Sequence, residues 1–206
     1  MPVSDVLYPV SLVVAGKRCV VVGGGAVAAR KVAGLVDAGA EVVVVAPKIG
    51  DDIRALPVVL VQRPYRGGDL DLAWLAIAAT DDPEVNRQVH ADGRAARVWV
   101  NAADDPEACA FTLPAVLRRG PVSVAVSTGG HSPALAGWLR DQIAGLLGPE
   151  IGLLAELLSE ARDELQAAGR STEGLDWRRA LDSDMLDLIR SGQMAQARER
   201  LQACLS

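Results

Sequence analysis

Val20-Val21-Val22-Gly23-Gly24-Gly25-Ala26-Val27-Ala28-Ala29-Arg30-Lys31 is the stretch that decides the fold, because an apolar run breaks there into a glycine turn and then takes up helical spacing. Gly23, Gly25 and Ala28 fit the pattern G-x-G-x-x-A. In that pattern the first glycine makes a tight turn, the second lets a pyrophosphate approach the backbone, and the third small residue allows a helix to pack closely on a strand. The amides that open the helix favour a bound phosphate. The stretch therefore predicts a nucleotide-binding turn, with a ligand-free tight turn as the alternative.

The residues around this turn predict a strand, a helix and a strand in succession. Residues 10–14 and 17–22 have the apolar character of strands, 27–38 has helical spacing that Gly39 would end, and 42–45 is typical of a buried strand. The second strand is followed by Ala46-Pro47-Lys48 instead of the acidic residue that usually binds a ribose 2′-hydroxyl. Lys48 would tolerate a 2′-phosphate, so these residues leave both NAD and NADP open.

Further strands and a helix continue the pattern up to Pro114. Strands are predicted at 58–62, 75–79 and 97–101, and a helix at 83–94 with Asp81 or Asp82 as its cap. Strands that alternate with helices predict an α/β fold with a Rossmann-like, doubly wound parallel sheet. Ligands of such sheets gather at the carboxyl ends of the strands. We therefore expect the site on one rim, formed by Gly23 to Val27, Pro47, Thr80, Asp81 and Asn101 to Asp104.

The pattern changes near Pro114, where a second part of the chain begins. A short helix is predicted at 114–119, a turn at Gly120-Pro121, a strand at 122–127 and a long helix from Pro133. The tail has the spacing of amphipathic helices. The sequence thus predicts a dinucleotide-binding domain at 1–113, a small α/β module at 114–148 and a helical C-terminal module at 149–206.

Composition limits the classes of function. Half of the 206 residues are hydrophobic, which suffices for a sizeable core, and a net charge of −5 argues against a general nucleic-acid or membrane-surface role. The three cysteines are widely spaced without a C-x-x-C pair. No stretch at the N-terminus has the basic and apolar parts of a signal peptide, and no apolar stretch has membrane-spanning length. We expect a cytoplasmic protein.

A few polar residues are candidates for chemistry. Asp104 follows a strand end, where a carboxylate can act as a general base, although Asp105 competes for this role and either can simply form a turn. Ser132-Pro133 is a capped helix start whose preceding glycines leave amides for an anion. His131 lies in that glycine turn and could touch an anionic substrate, donate a proton or transiently meet a metal. His90 and His131 are the two histidines, and neither has the spacing of a metal-binding motif. No protein-held metal is therefore predicted.

Together these segments resemble the precorrin-2 dehydrogenase/sirohydrochlorin ferrochelatase family, the dehydrogenase-chelatase part of siroheme synthase. The resemblance covers about the first 140 residues and is carried by the glycine turn Val21 to Lys31, the run Trp74 to Asp82, Val100-Asn101 with Asp104, and the segment Val124 to Ala136. It implies oxidation of precorrin-2 to sirohydrochlorin with NAD as hydride acceptor, and in some members insertion of ferrous iron to give siroheme. It also implies intertwined homodimers formed through the 114–148 module.

The resemblance assigns roles to individual residues. Asp104 matches the catalytic aspartate of the family. The cofactor would be lined by the glycine turn with Ala26, Val27, Pro47 and Lys48, alongside Thr80, Asp81 and Asn101. The carboxylates of the tetrapyrrole would be bound near Thr128, Gly129, Gly130, His131 and Ser132, with Arg118, Arg119 or Arg140 as clamps. Thr128 stands where some bacterial relatives have a phosphorylated serine, which puts that regulation in doubt.

The residues alone also leave a second interpretation of the function open. A nucleotide-sensing Rossmann module that regulates a partner without catalysis would need the same strand, turn and helix. Such a sensor would need neither the Asp104 turn nor the turn 128–133, and these two segments therefore distinguish the readings.

Overall fold

The computed structural model describes residues 7–102 and 109–205. The chain divides into two compact units. The first comprises the residues up to Leu113 together with 129–131, and the second comprises 114–128 and the chain from Ser132 onward.

A five-stranded parallel sheet forms the centre of the first unit. Its strands are β1 (Arg18–Val22), β2 (Glu41–Val45), β3 (Val59–Val61), β4 (Leu75–Ala78) and β5 (Trp99–Ala102). They are arranged in the order β3-β2-β1-β4-β5. The connections contain α1 (Ala26–Asp37), α2 (Asp51–Arg54) and α3 (Pro83–Ala96). The predicted α/β fold with a parallel sheet is confirmed.

Helices cover both faces of this sheet. Cys19 and Val21 of β1 pack in a cluster with Val32 of α1, whereas Val20 and Val22 belong to a second cluster with Val89 of α3. Because successive side chains of a strand point to opposite faces, each buried strand contributes to both clusters. The sheet is therefore doubly wound, as the alternation of elements predicts.

Local signals set the ends of the first two long helices. Gly39 adopts a left-handed φ of 76° directly after α1, which suits glycine at this position. The side chain of Asp82 caps α3 by accepting hydrogen bonds from the amides of Glu84 and Val85, and Pro83 occupies the first turn. Of the two predicted caps for α3, Asp82 is the one that the helix uses.

The predicted strand at 10–14 is wrong. These residues take no regular secondary structure, and Val10 and Val13 are exposed. Val14 alone packs into the core, and its carbonyl accepts the amide of Lys17 in a turn that leads into β1. Because the segment buries only Val14, it has no apolar face with which a strand could pack on the core, and it pairs with none of the strands β1 to β5.

The second unit begins with an antiparallel hairpin of β6 (Ala115–Arg119) and β7 (Val122–Val126). The predicted helix at 114–119 is therefore wrong. Leu117 is buried and pairs with Val124 across the hairpin, whereas Arg118 faces away and is exposed. Gly120 makes the turn with a φ of 54°. This alternation has the period of a strand, and a run of five residues was too short to distinguish it from a helical period.

Helices form the rest of the second unit. They are α4 (Pro133–Leu146), α5 (Glu150–Ala167), α6 (Trp177–Leu181), α7 (Met185–Arg190) and α8 (Met194–Leu205). The helix α4 packs on the hairpin, and α5 to α8 enclose a cluster around Leu157, Met185 and Leu201. None of the helices in the described part of the chain is long and apolar enough to span a bilayer.

Candidate functional site

The glycine turn lies between the carboxyl ends of β2 and β4. The amide of Gly23 donates to the carbonyl of Val45 at 3.0 Å. A Cβ on Gly23 would lie 2.1 Å from the carbonyl oxygen of Ala79, and a Cβ on Gly24 would lie 1.9 Å from that of Lys48. Both positions therefore require glycine, because the backbone on either side leaves no room for a side chain.

Gly25 differs from its two neighbours, since a Cβ built on it would meet no atom within 4 Å. It is the N-cap of α1 and supplies no side-chain cap, and the first turn of the helix carries no acidic residue. Ala26 and Val27 are exposed beside it. The first amides of α1 therefore open onto free space with the polarity that an anion requires. This cradle fits a dinucleotide pyrophosphate, with apolar contact available from Val27.

The segment after β2 packs against this turn. The amide of Gly50 donates to the carbonyl of Gly24 at 3.0 Å, and the side chains of Pro47 and Lys48 are exposed. Arg54 is held in place by donating to the carbonyl of Ile49 at 3.1 Å and to Oε1 of Gln62 at 2.9 Å. The predicted Pro47 and Lys48 thus lie on the same rim as the glycine turn.

Thr80 at the end of β4 is engaged in a local network. Its amide and hydroxyl lie 3.4 and 2.9 Å from Oδ1 of Asn86, and Nδ2 of Asn86 donates to its carbonyl at 3.0 Å. Its neighbour Asp81 is exposed. The backbone of Thr80 borders the glycine turn, since its nitrogen would be 3.3 Å from a Cβ on Gly23. Sequence analysis did not single out Asn86, whose only signal is a polar residue in the first turn of a helix that follows the rim.

Asn101 lies in β5, opposite Ile77 of β4. It is only 7% exposed. Its Nδ2 donates to the carbonyl of Phe111 at 2.8 Å. Sequence analysis placed Asn101 on the rim but missed this partner, which lies ten residues further along the chain. The predicted catalytic Asp104 and its competitor Asp105 lie outside the described residues.

The turn from Thr128 to Ser132 is stabilised from within. The hydroxyl of Thr128 lies 3.1 Å from the amide nitrogen and 3.0 Å from the carbonyl oxygen of Ser132. Ser132 in turn caps α4 by accepting the amide of Leu135 at 3.1 Å. Gly129 and Gly130 both have positive φ, 60° and 80°. The predicted cap is confirmed, and the two hydroxyls are engaged in building the turn.

The three candidate arginines have different surroundings. Arg119 donates to the carbonyls of Leu147 at 2.8 Å and Ala144 at 3.3 Å, so it satisfies the last carbonyls of α4. Arg140 pairs with Asp141. Arg118 is exposed and makes no side-chain hydrogen bond or ion pair within residues 7–102 and 109–205. Arg118 is therefore the candidate whose guanidinium is most available to a ligand.

The perturbed titratable groups of the first unit lie mostly in the loop after β3. Burial raises the pKa of the Tyr65 hydroxyl, which also donates to Asp92 at 2.8 Å. Two hydrogen bonds from Arg63 lower the pKa of Asp69. These contacts hold the loop, and none involves a predicted site residue. Across the described ranges, no group of three histidine, cysteine or acidic side chains could hold a metal ion.

A concave surface also exists at the opposite edge of the sheet. It is lined by residues at the amino ends of β1 to β3, including Arg18, Glu41 and Val59. Parallel sheets bind ligands at their carboxyl ends, so we assign the site to the glycine turn and not to this surface.

A parallel sheet with β1 at the switch point of its strand order, and with a glycine cradle at the end of β1, defines a dinucleotide-binding α/β protein. Residues 10–115 match a family model described as putative NAD(P)-binding, and 119–146 match one described as sirohaem biosynthesis protein central. The first match covers just over half of the chain, which therefore belongs to this NAD(P)-binding family, and the second shows that the chain also carries the segment described as the central part of a sirohaem biosynthesis protein. The resemblance drawn from the sequence is confirmed.

Individual relatives agree with this assignment. The siroheme synthase of Nitrosococcus oceani is 37% identical over 203 residues, which is 96% of this chain and 43% of that protein. The siroheme synthase of Thioalkalivibrio sulfidiphilus is 38% identical over 204 residues, 96% of this chain and 42% of that protein. A solved structure titled SirC, precorrin-2 dehydrogenase, superposes with a TM-score of 0.70 at 25% identity, covering 96% of this chain and 98% of that chain. The chain thus spans less than half the length of these curated relatives.

Proposed function

We propose that this protein oxidises precorrin-2 to sirohydrochlorin with a nicotinamide cofactor. The observation that carries the proposal is the cradle formed by Gly23 and Gly25 at the carboxyl end of β1. The likeness to a precorrin-2 dehydrogenase along nearly the whole of both chains supports the substrate.

We propose NAD as the cofactor in preference to NADP. Proteins that bind NADP commonly use an arginine for the 2′-phosphate. Arg54 is the arginine close to the end of β2, and its guanidinium is engaged by Ile49 and Gln62. Lys48, the third residue after β2, is then the exposed cation at this end of the strand, and it lacks the planar guanidinium with which arginine binds a phosphate. Kd values for NAD and NADP, measured by calorimetry on the purified protein, test this preference, and tighter binding of NADP would overturn it.

Asp104 is the general base of the proposed reaction. Oxidation removes two electrons and two hydrogens from the macrocycle, one as a hydride and the other as a proton. A nicotinamide cofactor bound at the glycine turn would supply the acceptor for the hydride. The Asp104 carboxylate takes the proton, and it would serve equally to remove N–H protons before a metal enters the ring.

The proposed substrate site uses the turn 128–132. Precorrin-2 carries several carboxylates, which suit backbone amides beside Gly129 and Gly130 and the guanidinium of Arg118. His131 lies in the same turn and is proposed to contact the substrate. These groups bind and orient the ring, while the proton transfer is assigned to Asp104.

The direct test is anaerobic incubation of the protein with enzymatically generated precorrin-2 and NAD, with NADH and sirohydrochlorin followed by absorbance. We expect one NADH for each sirohydrochlorin formed. Asp104→Asn should lower kcat by about a hundredfold or more, as expected for loss of a general base, whereas the matched control Asp105→Asn should retain activity. The converse result would give the role of base to Asp105.

We also propose ferrous iron insertion as a second activity. Iron is a substrate here, and the ring supplies four nitrogen ligands. Addition of ferrous iron to the completed reaction should give a protein-dependent change to the siroheme spectrum. Cofactor binding without oxidation or chelation would support the nucleotide-sensing alternative.

We propose that the protein is a homodimer formed through the 114–148 module. In α4 only Ala136 is buried, while Leu135, Trp138 and Leu146 are 47, 57 and 78% exposed. A two-stranded hairpin with one helix is marginal on its own, and a second copy would cover this apolar surface. Sedimentation should give a dimer for the wild type and a monomer for Trp138→Glu, with the exposed Trp99→Glu as control. A monomeric wild type would overturn the proposal.

The proposed location is the cytoplasm. The three cysteines Cys19, Cys109 and Cys204 form no disulfide, which suits a reducing compartment. Fractionation of cells producing the native protein tests this location.

A further inference from the structure

The side chain of Asn86 is bonded to both backbone groups of Thr80, just after the end of β4. Its Nδ2 donates to the carbonyl of Thr80 at 3.0 Å, and its Oδ1 lies 3.4 Å from the amide nitrogen and 2.9 Å from the hydroxyl of Thr80. A carboxamide has a carbonyl acceptor and two N–H donors, so one side chain can serve all of these groups. Asn86 thus restrains the two successive peptide groups that flank Thr80.

These bonds take the place of those to a neighbouring strand. Within the described sheet, the last register pairs of β4 are made by Ala78, with Val22 of β1 and with Ala102 of β5. Directly after Val22 the chain turns away into the glycine turn. Backbone groups that leave a ladder need other hydrogen-bond partners, and the carboxamide of Asn86 supplies a donor and an acceptor. The backbone of Thr80 is therefore held although the ladder ends before it.

One of the peptide groups held by Asn86 is also a wall of the glycine turn. A Cβ on Gly23 would lie 2.1 Å from the carbonyl oxygen of Ala79, 2.7 Å from its carbonyl carbon and 3.3 Å from the nitrogen of Thr80. All three atoms belong to the peptide group between Ala79 and Thr80. Because the backbones pack without free space between them, a displacement of this peptide group would move Gly23 as well.

This contact lies where a dinucleotide would cross the sheet. The strand order β3-β2-β1-β4-β5 reverses its direction at the boundary between β1 and β4. Ligands of doubly wound sheets bind in the crevice outside such a boundary. The glycine turn lines the crevice on the side of β1, and Thr80 lines it on the side of β4. Amides of the turn can bind a pyrophosphate only if their N–H groups point to its oxygens at hydrogen-bond distance.

We propose that Asn86 is a positioning residue for cofactor binding, an inference that rests on the proposed cofactor site at the glycine turn. Asn86 holds the peptide group between Ala79 and Thr80 against Gly23 and so keeps the amides of the turn oriented toward the pyrophosphate. Its carboxamide is engaged by Thr80, so it acts without a contact to the cofactor. Loss of one well-placed hydrogen bond to a charged group corresponds to about tenfold in affinity.

The test compares Asn86→Ala with the matched control Gln88→Ala. Gln88 is exposed on the same helix, and its side chain makes no hydrogen bond to any residue that the structure describes. Alanine is the best helix former, so α3 should fold in both variants. We expect the Kd for NAD, measured by calorimetry, to rise by about tenfold in Asn86→Ala and to change by less than about twofold in Gln88→Ala. ADP carries a pyrophosphate without nicotinamide, and its Kd should rise by a similar factor.

A second variant, Asn86→Gln, keeps a neutral carboxamide and displaces it by one methylene group. Glutamine is a better helix former than asparagine, so the variant should be at least as stable as the wild type. Its Kd for NAD should nevertheless rise as in Asn86→Ala, because the displaced carboxamide no longer matches both backbone groups of Thr80. Affinity equal to that of the wild type in both variants overturns the positioning role.

Hydrogen exchange of the ligand-free protein supplies a readout that needs no cofactor. The peptide spanning 77–84 should exchange faster in Asn86→Ala than in Gln88→Ala, and equal exchange would show that Asn86 does not hold this segment. A merely structural role would lower the urea midpoint of Asn86→Ala and leave the Kd of its folded form unchanged.

The two ligands and the wild type separate the remaining outcomes. Weaker binding of NAD with unchanged binding of ADP would show that the wall serves the nicotinamide half, which overturns the positioning of the pyrophosphate. A wild type that binds neither NAD, NADP nor ADP overturns the proposed cofactor site and the positioning role with it. A wild type that binds NAD, beside an Asn86→Ala variant of equal affinity, overturns the positioning role alone.

Discussion

The amide of Gly50 donates to the carbonyl of Gly24 at 3.0 Å, and this bond holds the chain after β2 against the glycine turn after β1. The carbonyl of Lys48 lies on the same side of the turn, where a Cβ on Gly24 would be 1.9 Å away. The phosphate cradle and the ribose end of the proposed cofactor site are therefore parts of one packed unit.

Gly24→Ala should destabilise the first unit by about 3 kcal/mol, because the added methyl group displaces the backbone at Lys48. Urea unfolding measures the change. Gly67→Ala is the control, since a Cβ there would meet no atom within 4 Å. Equal stability of the two variants would contradict the close packing described for the turn.

Gly25→Ala should leave the fold intact and weaken binding of NAD. The position has open space and a negative φ of −89°, but a methyl group there would occupy the place of the pyrophosphate. We expect Kd to rise by about tenfold or more, measured by calorimetry. Gly34→Ala, also open and within α1, should retain affinity and stabilise the helix by up to about 1 kcal/mol.

The ion pair between Arg63 and Asp69 predicts a dependence of stability on pH. The folded protein has a lowered pKa for Asp69, whose first cause is the hydrogen bonding from Arg63. A carboxyl group with a lowered folded pKa stabilises the fold above its unfolded pKa of about 3.9, and this contribution is lost as pH falls through the folded value. Asp69→Asn should therefore lower Tm at neutral pH, and the difference from wild type should shrink in acid.

Asp71→Asn is the control for this measurement, because Arg18 contacts only the backbone oxygen of Asp71. Its Tm should follow that of the wild type at each pH. A constant difference between Asp69→Asn and wild type across the acidic range would show that the charge of Asp69 is not the cause.

Two neighbouring arginines should have separable effects. Arg119→Gln should destabilise the second unit by about 1 kcal/mol, because it removes a cation from the carboxyl end of α4. Arg118→Gln should leave unfolding unchanged and raise KM for precorrin-2. Steady-state kinetics and urea unfolding of both variants test these two expectations. An unchanged KM for precorrin-2 in Arg118→Gln would show that Arg118 is not part of the substrate site.

The sequence was sufficient where a short local signal determines the structure. The Asp82-Pro83 and Ser132-Pro133 pairs predicted the starts of α3 and α4, and the turn 23–25 predicted the passage from β1 to α1. These signals act within a few residues and depend little on the rest of the chain.

Predictions failed where contacts with another segment decide the structure. Residues 115–119 form a strand because they pair with 122–126, and residues 10–14 form none because only Val14 among them packs into the core. The side chain of Asn101 donates a hydrogen bond to the carbonyl of Phe111. Neither residue type alone predicts this bond. The sequence could therefore place Asn101 on the rim but could not indicate that its amide would donate a hydrogen bond to the carbonyl of Phe111.

The strand β1 sends alternate side chains into both core clusters and ends directly in the glycine cradle. A cavity made on either face, for example by Val21→Ala or Val20→Ala, would let this strand shift and would move the cradle with it. Such core substitutions should thus weaken binding of the cofactor although they do not touch its site. Bound dinucleotide should conversely raise the resistance of the whole sheet to heat, so that folding and ligand capture are thermodynamically linked through one strand.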